Sequence, residues 1–312
     1  MKAAQLQHYG DQDAVKVIAD VPQPKPLAGE VLVEVHAAAV NPFDWKVRDG
    51  AYQQYFPVNM PATLGGDVAG VVQELGEAVE GFEIGQTVLG QANAVGGQGS
   101  LAEFTPVKAE HLVPKPEAID FVAAAALPLA GVSAYQALVD HMNLQAGQKI
   151  LIHGGAGGIG SLAIQIAKDI GAYVATTASP DDAEFVKELG ADEVIDYTSQ
   201  DFSQIIKDYD AVFDTVGGET NEKSYGVLKP GGSLVSMLVP PNDKLVKQRQ
   251  INYTQQSSKA TQERLVAVAE MAAAGKLKVN IDKVFSLDEA PVALEHLKTG
   301  HPKGKVVVQV KA

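Results

Sequence analysis

The amino-acid sequence predicts an α/β protein: a β-rich, partly open barrel with a doubly wound parallel-sheet domain inserted into it. Three observations carry this. Short β-branched runs broken by Gly and Pro fill roughly the first 120 residues, strands alternate with helices from about residue 149 to 237, and a last strand at 304–310 returns to the β texture. The expected division is 1–121 for the β domain, completed by 281–312, with 122–280 as the inserted domain.

In the β domain, Val31-Leu32-Val33-Glu34-Val35 is rich in β-branched residues and follows Ala28-Gly29-Glu30. Asp67 to Gly76 has the same texture, and Gly81 to Gly90 supplies a turn and another strand. Gly and Pro recur too often here for long helices. Ala123 to Val139 is rich in Ala and Leu and reads as helix on both sides of Pro128. Lys149 to His153 is a strand, and Ile159 to Ile170 a helix with Leu162, Ile166 and Ile170 on one face. Tyr173 to Thr177 is the next strand. Ser179-Pro180-Asp181-Asp182 then opens a helix, with Ser as N-cap, Pro at the first position and acids in the first turn. Glu193–Asp196, Ala211–Asp214 and Gly232–Met237 are further strands, so the segment reads as βαβ units. The tail adds a strand at Lys283–Phe285, a helix from Asp288 to Leu297 and the final strand.

Composition excludes several functions. The 312 residues carry 25 Lys+Arg and 38 Asp+Glu, a net charge of −13, which argues against nucleic acid or an anionic membrane as partner. The absence of cysteine excludes disulfides, thiolate metal sites and a cysteine nucleophile. The most apolar run, Phe121 to Val132, is too short to span a bilayer and contains Pro128. A cytoplasmic protein is expected.

Gly154-Gly155-Ala156-Gly157-Gly158-Ile159-Gly160 holds five glycines in seven positions, directly after a strand and opening a helix. In that context glycines let the backbone approach a pyrophosphate, and the helix N-terminus offers unpaired N–H groups. No Lys-Ser or Lys-Thr follows, so triphosphate hydrolysis is not expected. Strand two ends at Thr177-Ala178-Ser179 without the acid that usually holds an NAD ribose, which favours NADPH, with NADH as the alternative.

Asn41-Pro42-Phe43-Asp44-Trp45-Lys46, Leu64 to Val72, Ala125 to Tyr135, the glycine loop, Leu189-Gly190-Ala191-Asp192, Ile195-Asp196-Tyr197 and Phe213 to Gly218 together resemble one family, in that order and over the whole chain. The sequence resembles the zinc-independent medium-chain dehydrogenases/reductases of the quinone oxidoreductase, zeta-crystallin-like, branch. The resemblance implies a GroES-like N-terminal domain closed by the C-terminus, with a Rossmann domain inserted. Zinc-dependent relatives carry Cys where this chain has Asn41 and His-Glu where it has Gly66-Asp67. The seven histidines form no His-x-x-His pair and read as surface or capping residues, so no metal is expected. A short-chain dehydrogenase reading from Tyr225 and Lys229 is set aside, because about 150 residues precede the glycine loop and Lys229 enters a turn before a strand.

The resemblance implies hydride transfer from NADPH to a quinone or to the C=C bond of an α,β-unsaturated carbonyl. The alternative is a non-catalytic, crystallin-like or regulatory NADPH-binding protein. Asn41 is placed near the nicotinamide and ribose, and Ala156, Gly157, Gly158 and Ile159 along the pyrophosphate. Ser179 and Tyr197 are placed at the 2′-phosphate, and Val132, Val216 and Leu238 on loops approaching the cofactor. Asp181 and Asp182 would repel a phosphate if they turned towards it. Asp214 is either a crevice residue or a turn acceptor. Lys46 is the expected cation facing a developing oxyanion, with Tyr52 and Tyr55 as candidate proton donors. A homodimer is implied by resemblance.

Overall fold

The computed structural model describes residues 1–311. In chain order, β1 (Ala3–Leu6), β2 (Val15–Ile18), β3 (Glu30–Val40), α1 (Pro42–Arg48), β4 (Ala62–Thr63), β5 (Asp67–Leu75), β6 (Thr87–Gln91), β7 (Phe104–Lys108), β8 (Leu112–Pro114) and α2 (Phe121–Ala125) come first. Next come α3 (Pro128–Tyr135), β9 (Lys149–Ile152), α4 (Gly158–Ile170), β10 (Tyr173–Ala178), α5 (Ala183–Glu188), β11 (Glu193–Asp196), α6 (Phe202–Ile205) and β12 (Tyr209–Asp214). They are followed by α7 (Gly218–Ser224), β13 (Leu228–Ser236), α8 (Asp243–Arg249) and β14 (Asn252–Gln255). The chain closes with α9 (Gln262–Ala273), β15 (Ile281–Ser286), α10 (Ala290–Thr299) and β16 (Lys305–Gln309).

Two compact units result: Met1–Leu129 with Ala260–Ala274 and Val279–Ala312, and Ala130–Lys259 with Gly275–Lys278. These bounds differ from the divisions expected at 121/122 and 280/281. The reason is packing: α2 lies on β3 and β5, and α9 lies on β8, so both helices belong with the β-rich unit.

In the first unit a seven-stranded sheet runs β15-β16-β3-β5-β6-β8, with β7 also paired to β3. No pairing joins β7 to β8, so the barrel is partly open, as the sequence predicts. The C-terminal strand closes onto the N-terminal part: β16 pairs antiparallel with β3 in the register Val306↔Val40. That register brings Lys305 beside Asn41. The core is built from inward Val33, Val35, Val68, Val88, Val306 and Val308, all buried. Arg48 at the end of α1 is fully buried and ties to Glu295 of α10 through Nη1 at 3.1 Å.

The second unit is a six-stranded parallel sheet in the order β11-β10-β9-β12-β13-β14. Its central strands are buried on both faces, which is why Ile150, Leu151 and Ile152 form an unbroken apolar run. Leu162 and Ile166 of α4 are buried, and the helix ends at Gly171, whose φ of 93° is a left-handed C-cap. The strand order reverses between β9 and β12, which is where open α/β sheets bind ligands. The helix expected on either side of Pro128 is present, but it widens into a π-helical segment over Gln136–His141.

Candidate functional site

The segments expected to cradle a dinucleotide come together at the carboxyl ends of β9, β10 and β12. The glycines act there by close approach. A Cβ on Gly155 would lie 2.1 Å from Thr176 Oγ1, and one on Gly160 would lie 2.2 Å from the Gly154 carbonyl oxygen. At Gly157, the N-cap of α4, a Cβ would meet nothing nearer than the Gly154 oxygen at 3.4 Å. The first two glycines therefore build the loop, while Gly157 leaves space beside the helix N-terminus. Ala156, Gly157, Gly158 and Ile159 are half-buried along that rim. A cavity of ≈ 640 Å³ adjoins it, lined among others by Gly154, Thr177, Tyr197, Val216 and Lys223. Tyr197, Val216 and Leu238 are 59%, 51% and 46% exposed, apolar or aromatic surface of the kind a cofactor covers. Val132 lies fully buried in α3.

His153 corrects the expectation that the histidines are surface or capping residues. It is fully buried at the end of β9, with Nδ1 at 3.2 Å from Thr177 Oγ1 and Nε2 at 3.0 Å from Ser224 Oγ. The Ser224 hydroxyl donates to the Thr220 carbonyl, so His153 Nε2–H donates to Ser224 and Nδ1 accepts from Thr177. Burial pushes the imidazole down to about 4, opposed by the Asp214 charge, so the ring is neutral at neutral pH. It acts as a strut joining the ends of β9, β10 and α7. The sequence hides this because a polar residue ending an apolar run looks like a strand leaving the core.

Asp214 is a turn acceptor. It is buried, and its carboxylate takes the N–H groups of Val216 and Gly217, the Asn221 amide and the Ser236 hydroxyl, at 2.8–2.9 Å. It thereby fixes the loop that carries Val216. Ser179 departs from its expected capping role: no backbone N–H reaches its side chain, and its hydroxyl donates to Asp182 Oδ2 at 2.6 Å.

In the β-rich unit a second polar cluster is buried around Asn41, which is 5% exposed. Lys305 Nζ donates to Asn41 Oδ1 at 2.5 Å, and Asn41 Nδ2 donates to Asp67 Oδ2 at 2.9 Å. Lys305 Nζ also lies 3.5 Å from Asp67 Oδ2. Asp67 Oδ1 accepts from Gln91 Nε2 at 3.2 Å and from the Leu129 N–H at 3.0 Å. The carboxamide of Asn41 is thus held at both ends. Nothing in the sequence singles out Lys305; only the β16–β3 pairing brings it here.

Asp44, also buried, accepts the Asn41 N–H at 2.7 Å. Its pKa is pushed up to about 7, first by burial, with the Asn41 hydrogen bond and the Lys305 charge opposing and Asp67 assisting. A folded-state value above the unfolded one means that Asp44 supports folding fully below about pH 4. That support is lost as pH rises through about 7. Asp44→Asn keeps an acceptor for the Asn41 N–H and cannot ionise. Its melting temperature is expected to exceed that of the wild type at about pH 8 and to converge with it as pH falls to about 4. A parallel fall of both proteins between those pH values would show that Asp44 does not titrate in this range.

Lys46 and Tyr52, the expected catalytic pair, lie on and just after α1. Lys46 Nζ stands 5.5 Å over the Trp45 ring, and Tyr52 stacks on Phe43 at 5.3 Å between centroids. Tyr55 is 75% exposed. Among the described residues, no three His, Cys, Asp or Glu side chains are grouped to hold a metal ion.

Comparison with known proteins places this geometry. Residues 27–117 match the alcohol dehydrogenase GroES-like domain, and 189–308 match the zinc-binding dehydrogenase domain. A 2-methylene-furan-3-one reductase of Solanum lycopersicum is 38% identical over 99% of this chain and 79% of its own length. The chain belongs to the medium-chain dehydrogenase/reductase family, in its quinone oxidoreductase branch. A chloroplastic NADPH-dependent alkenal/one oxidoreductase of Arabidopsis thaliana is 37% identical, with the same coverage. The quinone oxidoreductase structure from Coxiella burnetii superposes with a TM-score of 0.92 at 36% identity, covering 100% of this chain and 99% of that one. The zinc in the domain's description does not fit this family member's residues. A lysine ammonium already sits on Asn41 and Asp67, two of the positions Asn41 and Gly66-Asp67 where zinc-dependent relatives carry Cys and His-Glu, and a cation repels a metal ion.

Proposed function

We propose that the protein is an NADPH-dependent, zinc-free reductase that transfers hydride to quinones or to the β-carbon of α,β-unsaturated carbonyls. The single observation that carries this is the Lys305–Asn41–Asp67 cluster: it removes the Lewis acid that alcohol oxidation uses and leaves a fold whose relatives are named for conjugated acceptors. The glycine loop and its adjoining cavity fit an adenine dinucleotide, held by Ala156, Gly157, Gly158 and Ile159 at the pyrophosphate. When bound, NADPH supplies the hydride. Among its own side chains the chain offers Lys46 as the cation for the oxyanion that forms on the acceptor and Tyr52 as a proton donor. Ser179, Tyr197, Val132, Val216, Leu238 and Asn41 complete the proposed contacts.

The relatives are named as oxidoreductases, which supports catalysis over a non-catalytic role. No helix among the described residues is long and apolar enough to cross a membrane. A cytoplasmic homodimer belongs to the same reading. It is in keeping with the cysteine-free composition and with β14, which pairs on one side only within its unit.

The testing assay is NADPH oxidation against a panel of quinones, 2-enones and saturated aldehydes. Turnover confined to the conjugated acceptors is expected; turnover of saturated aldehydes alone would refute the assignment. Lys46→Ala should lower kcat for 2-enones about 10-fold with NADPH affinity unchanged. Unchanged turnover would remove Lys46 from the mechanism.

A further inference from the structure

Two loops leave the carboxyl ends of β12 and β13 side by side. The first, 215–218, carries Val216 and the second, 237–242, carries Leu238, both exposed. They pack on each other at Gly217, whose φ of 79° is left-handed and where a Cβ would lie 3.2 Å from Val239 Cγ2 and 3.3 Å from Leu238 Cβ. Side chains tie the two loops into one closed circuit. Asp214 Oδ1 takes the Val216 and Gly217 N–H groups, and its Oδ2 takes the Ser236 hydroxyl. The Ser236 oxygen accepts in turn from the N–H groups of Leu238 at 3.2 Å and Val239 at 3.1 Å. Asn221 Nδ2 gives one hydrogen to Asp214 Oδ2 at 2.8 Å and the other to the Tyr253 hydroxyl at 3.1 Å. That hydroxyl donates to the Val239 carbonyl at 2.8 Å, nearer than the Asn221 oxygen at 3.4 Å, and closes the circuit. Burial pushes the phenol up to about 12, against the Asn221 and Ser236 hydrogen bonds, so it has its proton to donate at neutral pH. Tyr225 stacks on Tyr253 at 5.6 Å between centroids and accepts the Asn242 N–H at 3.0 Å, at the far end of the second loop.

The strand order decides which half of a dinucleotide meets these loops. With the pyrophosphate at the α4 N-terminus after β9, the adenosine half would lie over β10 and the nicotinamide half over β12 and β13. We propose that Tyr253 and Ser236 are positioning residues for the nicotinamide half of the cofactor: they hold the Val216 and Leu238 loops as one shelf, formed before the cofactor arrives. The proposal rests on the dinucleotide-binding reading above. Neither side chain has to touch the cofactor, because each acts by fixing backbone. Opening the circuit at either point frees the second loop, and the cofactor then binds only the fraction of molecules with the shelf in place.

The test compares, by calorimetry on the intact chain, NADPH with 2′-phospho-ADP-ribose, which lacks the nicotinamide. Tyr253→Phe removes the hydroxyl and keeps the ring stack, and Ser236→Ala removes the other link. Each should weaken NADPH about 10-fold and leave the truncated ligand within about 2-fold of its wild-type affinity. The double variant should lose little more than either single one, because a circuit already open cannot be opened again. The comparison is internal to each variant, so a general loss of stability would move both ligands together. Equal weakening of the two ligands, additive losses in the double variant, or wild-type NADPH affinity in both single variants would overturn the proposal and leave dinucleotide binding intact. A wild type that binds neither ligand would overturn both.

Discussion

Asp67→Ala is expected to lower the unfolding free energy by about 3–5 kcal/mol in urea titration. The carboxylate is fully buried and gathers four donors: the Asn41 amide, the Lys305 ammonium, the Gln91 amide and the Leu129 N–H. Removing it leaves the Lys305 charge buried, with the neutral Asn41 oxygen in contact and the Asp44 carboxyl, pushed up to about 7, as the remaining acid nearby. Desolvating an ammonium without its counter-charge carries a large penalty. Lys305→Met should be damaging for the mirror reason. The double variant, Lys305→Met with Asp67→Leu, should recover much of the loss, because apolar side chains of similar volume replace a buried pair at little net cost. Strict additivity of the two single effects would show that the two charges do not act as a pair.

Gly157→Ala is expected to weaken NADPH binding by roughly 10- to 100-fold while leaving the melting temperature in place. The new methyl meets nothing of the protein closer than 3.4 Å, so the fold has no reason to respond. In the proposed site, however, it would stand where the pyrophosphate approaches the α4 N-terminus. Gly160→Ala makes the opposite case. There the methyl would sit 2.2 Å from a backbone oxygen, and backbone cannot rotate away as a side chain can. Both stability and NADPH affinity should fall in that variant. Wild-type NADPH affinity in Gly157→Ala would mean that no phosphate passes over that rim.

The sequence shows the fold class because the two periodicities are clean. Ile150-Leu151-Ile152 is an unbroken run in a strand buried on both faces, and Leu162 and Ile166 mark the inner face of α4. The glycine loop is legible for the same reason: its role depends on backbone, which glycine advertises. What stays hidden depends on long-range pairing. Lys305 reads as a polar residue opening the final strand, and becomes part of the Asn41 cluster only through the β16–β3 register. His153 reads as a strand leaving the core, yet Thr177 and Ser224, distant in sequence, satisfy both of its nitrogens inside. Ser179 has the sequence of an N-cap, but its hydroxyl is turned to donate to the Asp182 carboxylate three residues on and its oxygen accepts no backbone N–H at the cap. The unit boundaries move for a related reason. The sequence texture of α2 and α9 is helical, and only packing assigns them to the β-rich unit.

The most direct test of zinc-free reduction of a conjugated acceptor is to supply NADPH carrying deuterium at the transferable hydride position, together with a 2-enone and a strong metal chelator. The product is then analysed by NMR. Deuterium on the β-carbon of a saturated ketone, formed at a rate the chelator does not change, is the expected result. Deuterium on the carbinol carbon of an allylic alcohol, or a rate abolished by the chelator, would contradict it.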